Sequence, residues 1–168
     1  MTTLDGAIPA EVREKNAGLI ADIDDLVSIH GTERSALLPI LEGLKSRRDQ
    51  ITDIAIQVVA DRLGLTPVDV EGVVTFYHFL GTEPTGDTVI HVCRTISCAL
   101  LGMDAVVKRL ENVTGVSMGE TTPDGKVTID WANCIGMCDF APAALVNREA
   151  VKEVTPDRIA EIVTEARA

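Results

Sequence analysis

HVCRTISCALLG (91–102) carries two cysteines spaced C-x4-C, Cys93 and Cys98. Its counterpart ANCIGMCDFAP (132–142) carries Cys134 and Cys138 spaced C-x3-C, with 35 residues between the two pairs. These four are all the cysteines in a chain of 168 residues. Thiolates are soft ligands that suit iron–sulfur clusters, Zn²⁺ or Cu⁺. Two short loops, each giving two sulfurs, close one four-ligand site once the chain folds back between them. A [2Fe–2S] cluster takes such a Cys₄ set, with one pair per iron.

Other readings compete. Two disulfides would suit a secreted chain, but no signal-peptide pattern opens this one, and disulfides are rare in cytosolic proteins. A structural Cys₄ zinc site is chemically reasonable, although zinc ribbons usually present C-x2-C knuckles and neither pair here is one. A thioredoxin-like dithiol would want C-x-x-C, which is absent as well. Four scattered core thiols do not account for pairs set in loops containing Gly, Ser, Thr and Asp. Spacing therefore ranks iron–sulfur first and zinc second.

The rest of the chain narrows the function classes. Its length allows one large domain or two small ones, and folding at this size buries roughly 70% of the unfolded surface. A metal need not hold the whole chain together. A hydrophobic content of 46% with 24% charged residues reads as globular. No apolar run approaches the ~20 residues of a membrane span. A net charge of −11 argues against nucleic-acid phosphate or an anionic membrane as partner, and 3% aromatic residues argue against base-stacking platforms. An acidic cytoplasmic subunit is the expectation.

GTEPTG (81–86) divides two differently patterned halves, a helical bundle over 1–83 and a mixed α+β domain over 84–168. The first holds seven basic and fourteen acidic residues, the second eight and twelve. Upstream the period is helical. One helix is expected from Pro9 to Gly31 with Val12, Leu19, Ile23, Leu26 and Val27 on a stripe that Asn16 interrupts. A second, starting at Thr32 or Ser35, carries Leu37, Leu38, Leu41 and Leu44, with Pro39 tolerated only in its first turn. A third runs from Thr52-Asp53 to Gly64 and buries Ile54, Val58, Val59 and Leu63. A fourth opens on Thr66, Pro67 and Asp69, a capping-box arrangement, with Val70, Val73, Val74 and Tyr77 inside.

Downstream, DTVIHV (87–92) reads as a strand delivering Cys93. Residues 102–112 read as a helix with Val106, Val107 and Leu110 inside, and 116–120 as a strand. Pro123-Asp124-Gly125 is a turn, and KVTID (126–130) a strand feeding the second pair through Trp131. Residues 144–146 read as a short strand. A last helix capped by Thr155 runs from 156 to about 166 with Ile159, Ile162 and Val163 buried. The β–α–β–β–β–α order predicts a small layered domain with both cysteine pairs leaving strand ends on one edge.

Several motifs together resemble a known family. They are VVTFYHF (73–79), C-x4-C followed by Gly102, TTPDG (121–125), C-x-G-x-C followed by Ala141-Pro142, and Val146-Asn147 before Thr155-Pro156. In this order they resemble the small [2Fe–2S] subunit of the NADH-oxidising module of respiratory complex I, a subunit type shared with NAD-linked hydrogenases and NAD-dependent formate dehydrogenases. The resemblance covers nearly the whole chain. It implies an N-terminal helical bundle that docks a partner, then a thioredoxin-like [2Fe–2S] ferredoxin domain, with Cys93, Cys98, Cys134 and Cys138 as cluster ligands. It further implies a larger partner subunit carrying FMN, the NAD(H) site and a [4Fe–4S] cluster, and further subunits of the same complex. Where the family often has C-T-G-T-A-C, this chain reads C-R-T-I-S-C, so Arg94 sets a positive charge beside Cys93. Where many members carry an aromatic residue after the Asn corresponding to Asn147, Val151 stands here. Neither change removes a cysteine.

Other residues receive plainer readings. His91 lies two residues before Cys93 and shares its face if the strand continues, yet four cysteines already complete the set. Phe76, Tyr77 and Phe79 are expected in core or interdomain packing. Trp131 either shields the second pair from water or closes the core. Gly102 and Gly136 are expected to let backbone N–H groups approach sulfur, and Pro142 is a candidate cis proline. No G-x-G-x-x-G, P-loop or G-x-S-x-G is present. The chain is thus expected to carry electrons rather than to catalyse alone. The alternative from another class is a zinc-stabilised scaffold without redox function.

Overall fold

The computed structural model describes residues 9–48 and 50–168. The expected helical half, 1–83, includes residues 1–8 and Asp49, which lie outside the described residues. The chain falls into two compact units, one ending at Pro84 and the other spanning Thr85–Ala168.

The first unit is helical. Instead of one helix from Pro9 to Gly31 there are two, α1 (Ala10–Lys15) and α2 (Ala17–His30). They part at Asn16, which sits at φ −108° and ψ 19° and donates its side-chain amide to Val12 O at 2.8 Å. A side chain that competes for backbone groups in this way disfavours a continuous helix. α1 buries nothing, whereas α2 buries Leu19, Ile23 and Leu26. A 3₁₀ turn over Arg34–Ala36 leads into α3 (Leu37–Arg47), so Pro39 falls in a first turn, where its missing N–H has no helical partner to lose. α3 buries Leu37, Ile40, Leu41 and Leu44, while Leu38 is half-buried.

α4 (Asp53–Leu63) opens on Thr52, whose Oγ1 accepts from Ala55 N at 3.2 Å, and closes on Gly64 at φ 63°. Its buried stripe includes Ala55, Ile56, Val59, Ala60 and Leu63, so Ile54, expected inside, is only half-buried. α5 (Pro67–Phe76) has the full capping box, with Thr66 Oγ1 accepting from Asp69 N at 3.2 Å and Asp69 Oδ2 accepting from Thr66 N at 3.3 Å. Only Val70 and Val74 of its apolar residues are fully buried. Phe76, Tyr77 and Phe79 are 79%, 43% and 48% exposed, which corrects their expected place in the core. They cluster where α5 ends, and Tyr77 breaks the helix at ψ 99°.

The second unit is built on a five-stranded sheet in the order β2-β3-β1-β4-β5. The strands are β1 (Thr88–Cys93), β2 (Glu120–Thr121), β3 (Val127–Ala132), β4 (Ala144–Val146) and β5 (Glu149–Val151). β1 and β3 are parallel, and the remaining neighbours are antiparallel. Residues 116–119, expected in a strand, form a turn instead. Two carboxylates hold it, Glu120 accepting from Ser117 N at 2.8 Å and Glu111 from Met118 N at 3.1 Å. β5 has no counterpart among the expected strands. It returns from Asn147, a non-glycine residue at φ 54°, whose Oδ1 accepts from Val89 N at 2.8 Å and extends the ladder of β1.

Side-chain alternation gives the sheet two unlike faces. Ile90, Val92, Val127, Ile129, Trp131 and Ala144 share one face by register. Here α7 (Met103–Thr114) packs on β1, α8 (Pro156–Arg167) on β3, and the two helices on each other. Trp131 is half-buried against this core, as expected for a residue that closes it. Arg167 of α8 reaches over to donate to Val113 O and Thr114 O at 3.0 and 3.1 Å, satisfying carbonyls at the end of α7. Val89, His91, Thr128, Asp130 and Leu145 share the opposite, more polar face.

The entry into this unit is tight. Gly86 donates its N–H to Thr128 Oγ1 at 2.7 Å, and a Cβ there would lie 2.8 Å from both Lys126 C and Val127 N. Only glycine fits so close to another backbone segment.

Candidate metal centre

β1 and β3 are neighbours at the middle of the sheet and run the same way, so their C-terminal ends lie side by side. Cys93 is the last residue of β1 and pairs in register with Ala132, the last residue of β3. Cys134 follows two residues later. Both cysteine pairs therefore leave the same end of the sheet, from its central strands and not from an edge.

The first pair does not sit in a loop as expected. Cys98 lies within α6 (Ile96–Leu100), a short helix that starts just beyond Cys93, and Gly102 turns the chain from α6 into α7 at φ 104°. Cys93 and Cys98 are 2% and 1% exposed, whereas Cys134 and Cys138 are exposed. Cys138 opens a 3₁₀ turn over Cys138–Phe140, and the Ala141–Pro142 bond that follows is cis.

Hydrogen-bond donors converge on the buried sulfur of Cys93. Thr95 Oγ1 lies 3.2 Å from it. Backbone N–H groups of Thr95 and of Ile135, the latter from the second cysteine segment, also point at this sulfur. Burial pushes the Cys93 thiol up, but these bonds together with one from Cys98 outweigh it and hold the thiol below its ordinary value. Cys98 is pushed up, first by burial and then by its hydrogen bond to Cys93 and repulsion from it, against a lowering bond from Ala143. A desolvated sulfur ringed by N–H and O–H donors suits a metal-bound thiolate. On the exposed side, Gly136 at φ 73° donates its N–H to Cys134 Sγ at 3.4 Å, the approach to sulfur anticipated for this glycine.

Among the described residues, no three of the four sulfurs lie within 4.8 Å of one another. His91 lies within 4.8 Å of the Asp130 carboxylate, its register partner on β3.

Sequence reasoning missed the tie between the two segments. Arg94 donates its N–H to Ala132 O at 2.9 Å, and its Nε to Asn133 Oδ1 at 2.8 Å. The residue after Cys93 is thus joined to the residue before Cys134. Nothing in the spacing signals this bond, because it depends on β1 and β3 being parallel neighbours.

Fold and site together define a ferredoxin-type domain, a thioredoxin-like sheet with both cysteine segments at one end of its two parallel strands. Residues 23–167 match the family described as thioredoxin-like [2Fe–2S] ferredoxin, and the chain belongs to that family, whose cofactor is a [2Fe–2S] cluster. Similar proteins include a NADH-quinone oxidoreductase subunit of Mycobacterium tuberculosis (strain ATCC 25618 / H37Rv), 36% identical over 152 residues, which are 90% of this chain and 60% of the relative. The chain thus spans about 60% of the length of this mycobacterial relative. The NADH-quinone oxidoreductase subunit of the same name from Pseudomonas aeruginosa is 34% identical over 77% of this chain and 78% of its own. Subunit 2 of the Thermus thermophilus NADH-quinone oxidoreductase is 35% identical over 80% of this chain and 75% of its own. Among solved structures, an NAD⁺-reducing [NiFe]-hydrogenase in the H₂-reduced state shares the fold, with a TM-score of 0.71 and 24% identity over 81% of this chain and 23% of that one. No helix among the described residues is long and apolar enough to cross a membrane.

Proposed function

We propose that Cys93, Cys98, Cys134 and Cys138 hold one [2Fe–2S] cluster, the first pair on one iron and the second pair on the other. The chain then serves as an electron-transfer subunit of an NAD(H)-linked oxidoreductase of the NADH dehydrogenase, hydrogenase or formate dehydrogenase type. It is not an enzyme alone. The observation that carries this reading is the meeting of the two cysteine segments at the ends of parallel neighbours β1 and β3, with donors aimed at the buried sulfur of Cys93.

A nicotinamide delivers two electrons as hydride, whereas an iron–sulfur cluster exchanges them singly, so a flavin must stand between the two. In this reading a larger partner subunit carries FMN, the NAD(H) site and a [4Fe–4S] cluster. The helical unit docks the chain onto that partner. The complex works in the cytoplasm or on the cytoplasmic side of a membrane. The names of the relatives support this assignment, as does the absence of nucleotide-binding motifs in this chain.

Anaerobic purification followed by a visible spectrum and EPR after dithionite reduction tests it. A red-brown protein with two irons per chain and an S = ½ signal on reduction is the expected result. A colourless protein that takes up no iron on reconstitution but holds one zinc tightly would replace this reading with that of a non-redox scaffold.

A further inference from the structure

Arg94 is the only Lys or Arg in the two cysteine segments, 91–102 and 132–142. Its side chain is exposed, yet its Nε is committed to Asn133 Oδ1 at 2.8 Å across the gap between the segments. Its backbone N–H binds Ala132 O on the same neighbour. The guanidinium is therefore tied to Asn133, so that the residue that follows Cys93 is joined to the one that precedes Cys134. A free arginine on a surface would sample many rotamers and place its charge nowhere in particular.

We infer that the Arg94–Asn133 pair is a clasp with two effects on the cluster: it fixes the spacing of the two cysteine segments, and it raises the reduction potential by holding one positive charge beside the site. This inference rests on the four-cysteine reading above. Two ferric ions, two sulfides and four thiolates carry a net negative charge, and each electron accepted from the partner makes it more negative. A fixed cation stabilises the reduced state more than the oxidised one. Arg94 acts on the cluster through space and through the segment geometry, so it is a positioning residue and not a ligand.

The test uses the cluster-loaded chain in four forms: parent, Arg94→Gln, Arg94→Lys and Asn133→Ala. Redox titration followed by the EPR signal reads the potential, and bleaching by an iron chelator reads how firmly the segments are held. Arg94→Gln is expected to lower the reduced-to-oxidised ratio at a fixed solution potential by about three- to tenfold, a shift of about 28–59 mV for a one-electron couple. Arg94→Lys keeps the charge and restores most of that shift. The gap between parent and Arg94→Gln narrows as salt rises, because the charge is exposed. Asn133→Ala releases the guanidinium and is expected to speed bleaching about threefold. Coincident titrations of parent and Arg94→Gln overturn the electrostatic half, as does an Arg94→Lys variant displaced as far as Arg94→Gln. If Arg94→Gln does not retain its cluster, an Asn133→Ala variant matching the parent in both readouts overturns the clasp. A parent chain without a two-iron signal overturns the cluster reading itself, which no variant behaviour can mimic.

Discussion

At the scale of single residues, Cys93 shows how a buried thiol is kept ready to be a thiolate. Burial alone disfavours the anion, and the Thr95 hydroxyl is the first of the donors that oppose it. Replacing Thr95 by Val removes that donor and leaves the burial. In the metal-free chain the Cys93 thiolate is then expected to form at higher pH than in the parent. Ultraviolet absorbance of the thiolate against pH measures this, and an unchanged or lower titration would mean the remaining N–H groups suffice. The two cysteine pairs stand out in the sequence because paired thiols in a cysteine-poor chain have few other uses, which is what supports the proposed four-cysteine reading. Their donors do not. Ile135 and Ala143 contribute backbone N–H groups that any residue would offer, so their part is fixed by the fold and leaves no trace in residue type.

At the scale of elements, legibility followed the strength of the local signal. Thr66, Pro67 and Asp69 specify a helix start by their own chemistry, and α5 begins where they place it. Thr155 and Pro156 do the same for α8, where Thr155 Oγ1 accepts from Arg158 N at 3.1 Å. By contrast, residues 116–119 have apolar alternation but lose the strand to carboxylates that arrive from Glu111 and Glu120. Three-residue β5 is too short for any period to show. Replacing Thr66 by Ala is expected to cost about 1 kcal/mol in the helical unit at neutral pH. The Asp69 carboxyl is held below its usual range by the Thr66 hydroxyl first, then by the Thr66 N–H and Arg34. Stability from a depressed carboxyl is present above its ordinary value of about 3.9 and is lost as pH falls through the lower one. The difference in melting temperature between the parent and Asp69→Asn should therefore shrink as the pH is taken below about 4. A difference that stayed constant into acid would show that the carboxylate charge plays no part.

At the scale of the whole molecule, each unit has its own apolar core, one around Ile23, Ile40, Leu41 and Val59, the other around Ile90, Leu110, Ile129 and Ile159. Residues 82–84 between them are exposed. A nonspecific protease at low dose is expected to cut within 81–85 first, leaving two fragments of similar size. Cys134→Ser should abolish the EPR signal and leave the far-UV helical signal of the first unit intact. Joint loss of both signals would mean that the cluster supports the whole chain. The division at 81–86 was visible as a change of hydrophobic period, which is a property of each core and survives without knowledge of how either folds. The unequal burial of the cysteines carries a consequence in time. Cys93 and Cys98 are sealed and Cys134 and Cys138 open to water, so under the proposed four-cysteine reading iron from solution is expected to meet the outer thiols first, and damage to begin there too. Iodoacetamide added to the metal-free chain should mark Cys134 and Cys138 well before the inner pair, so that assembly and decay of the centre share one doorway.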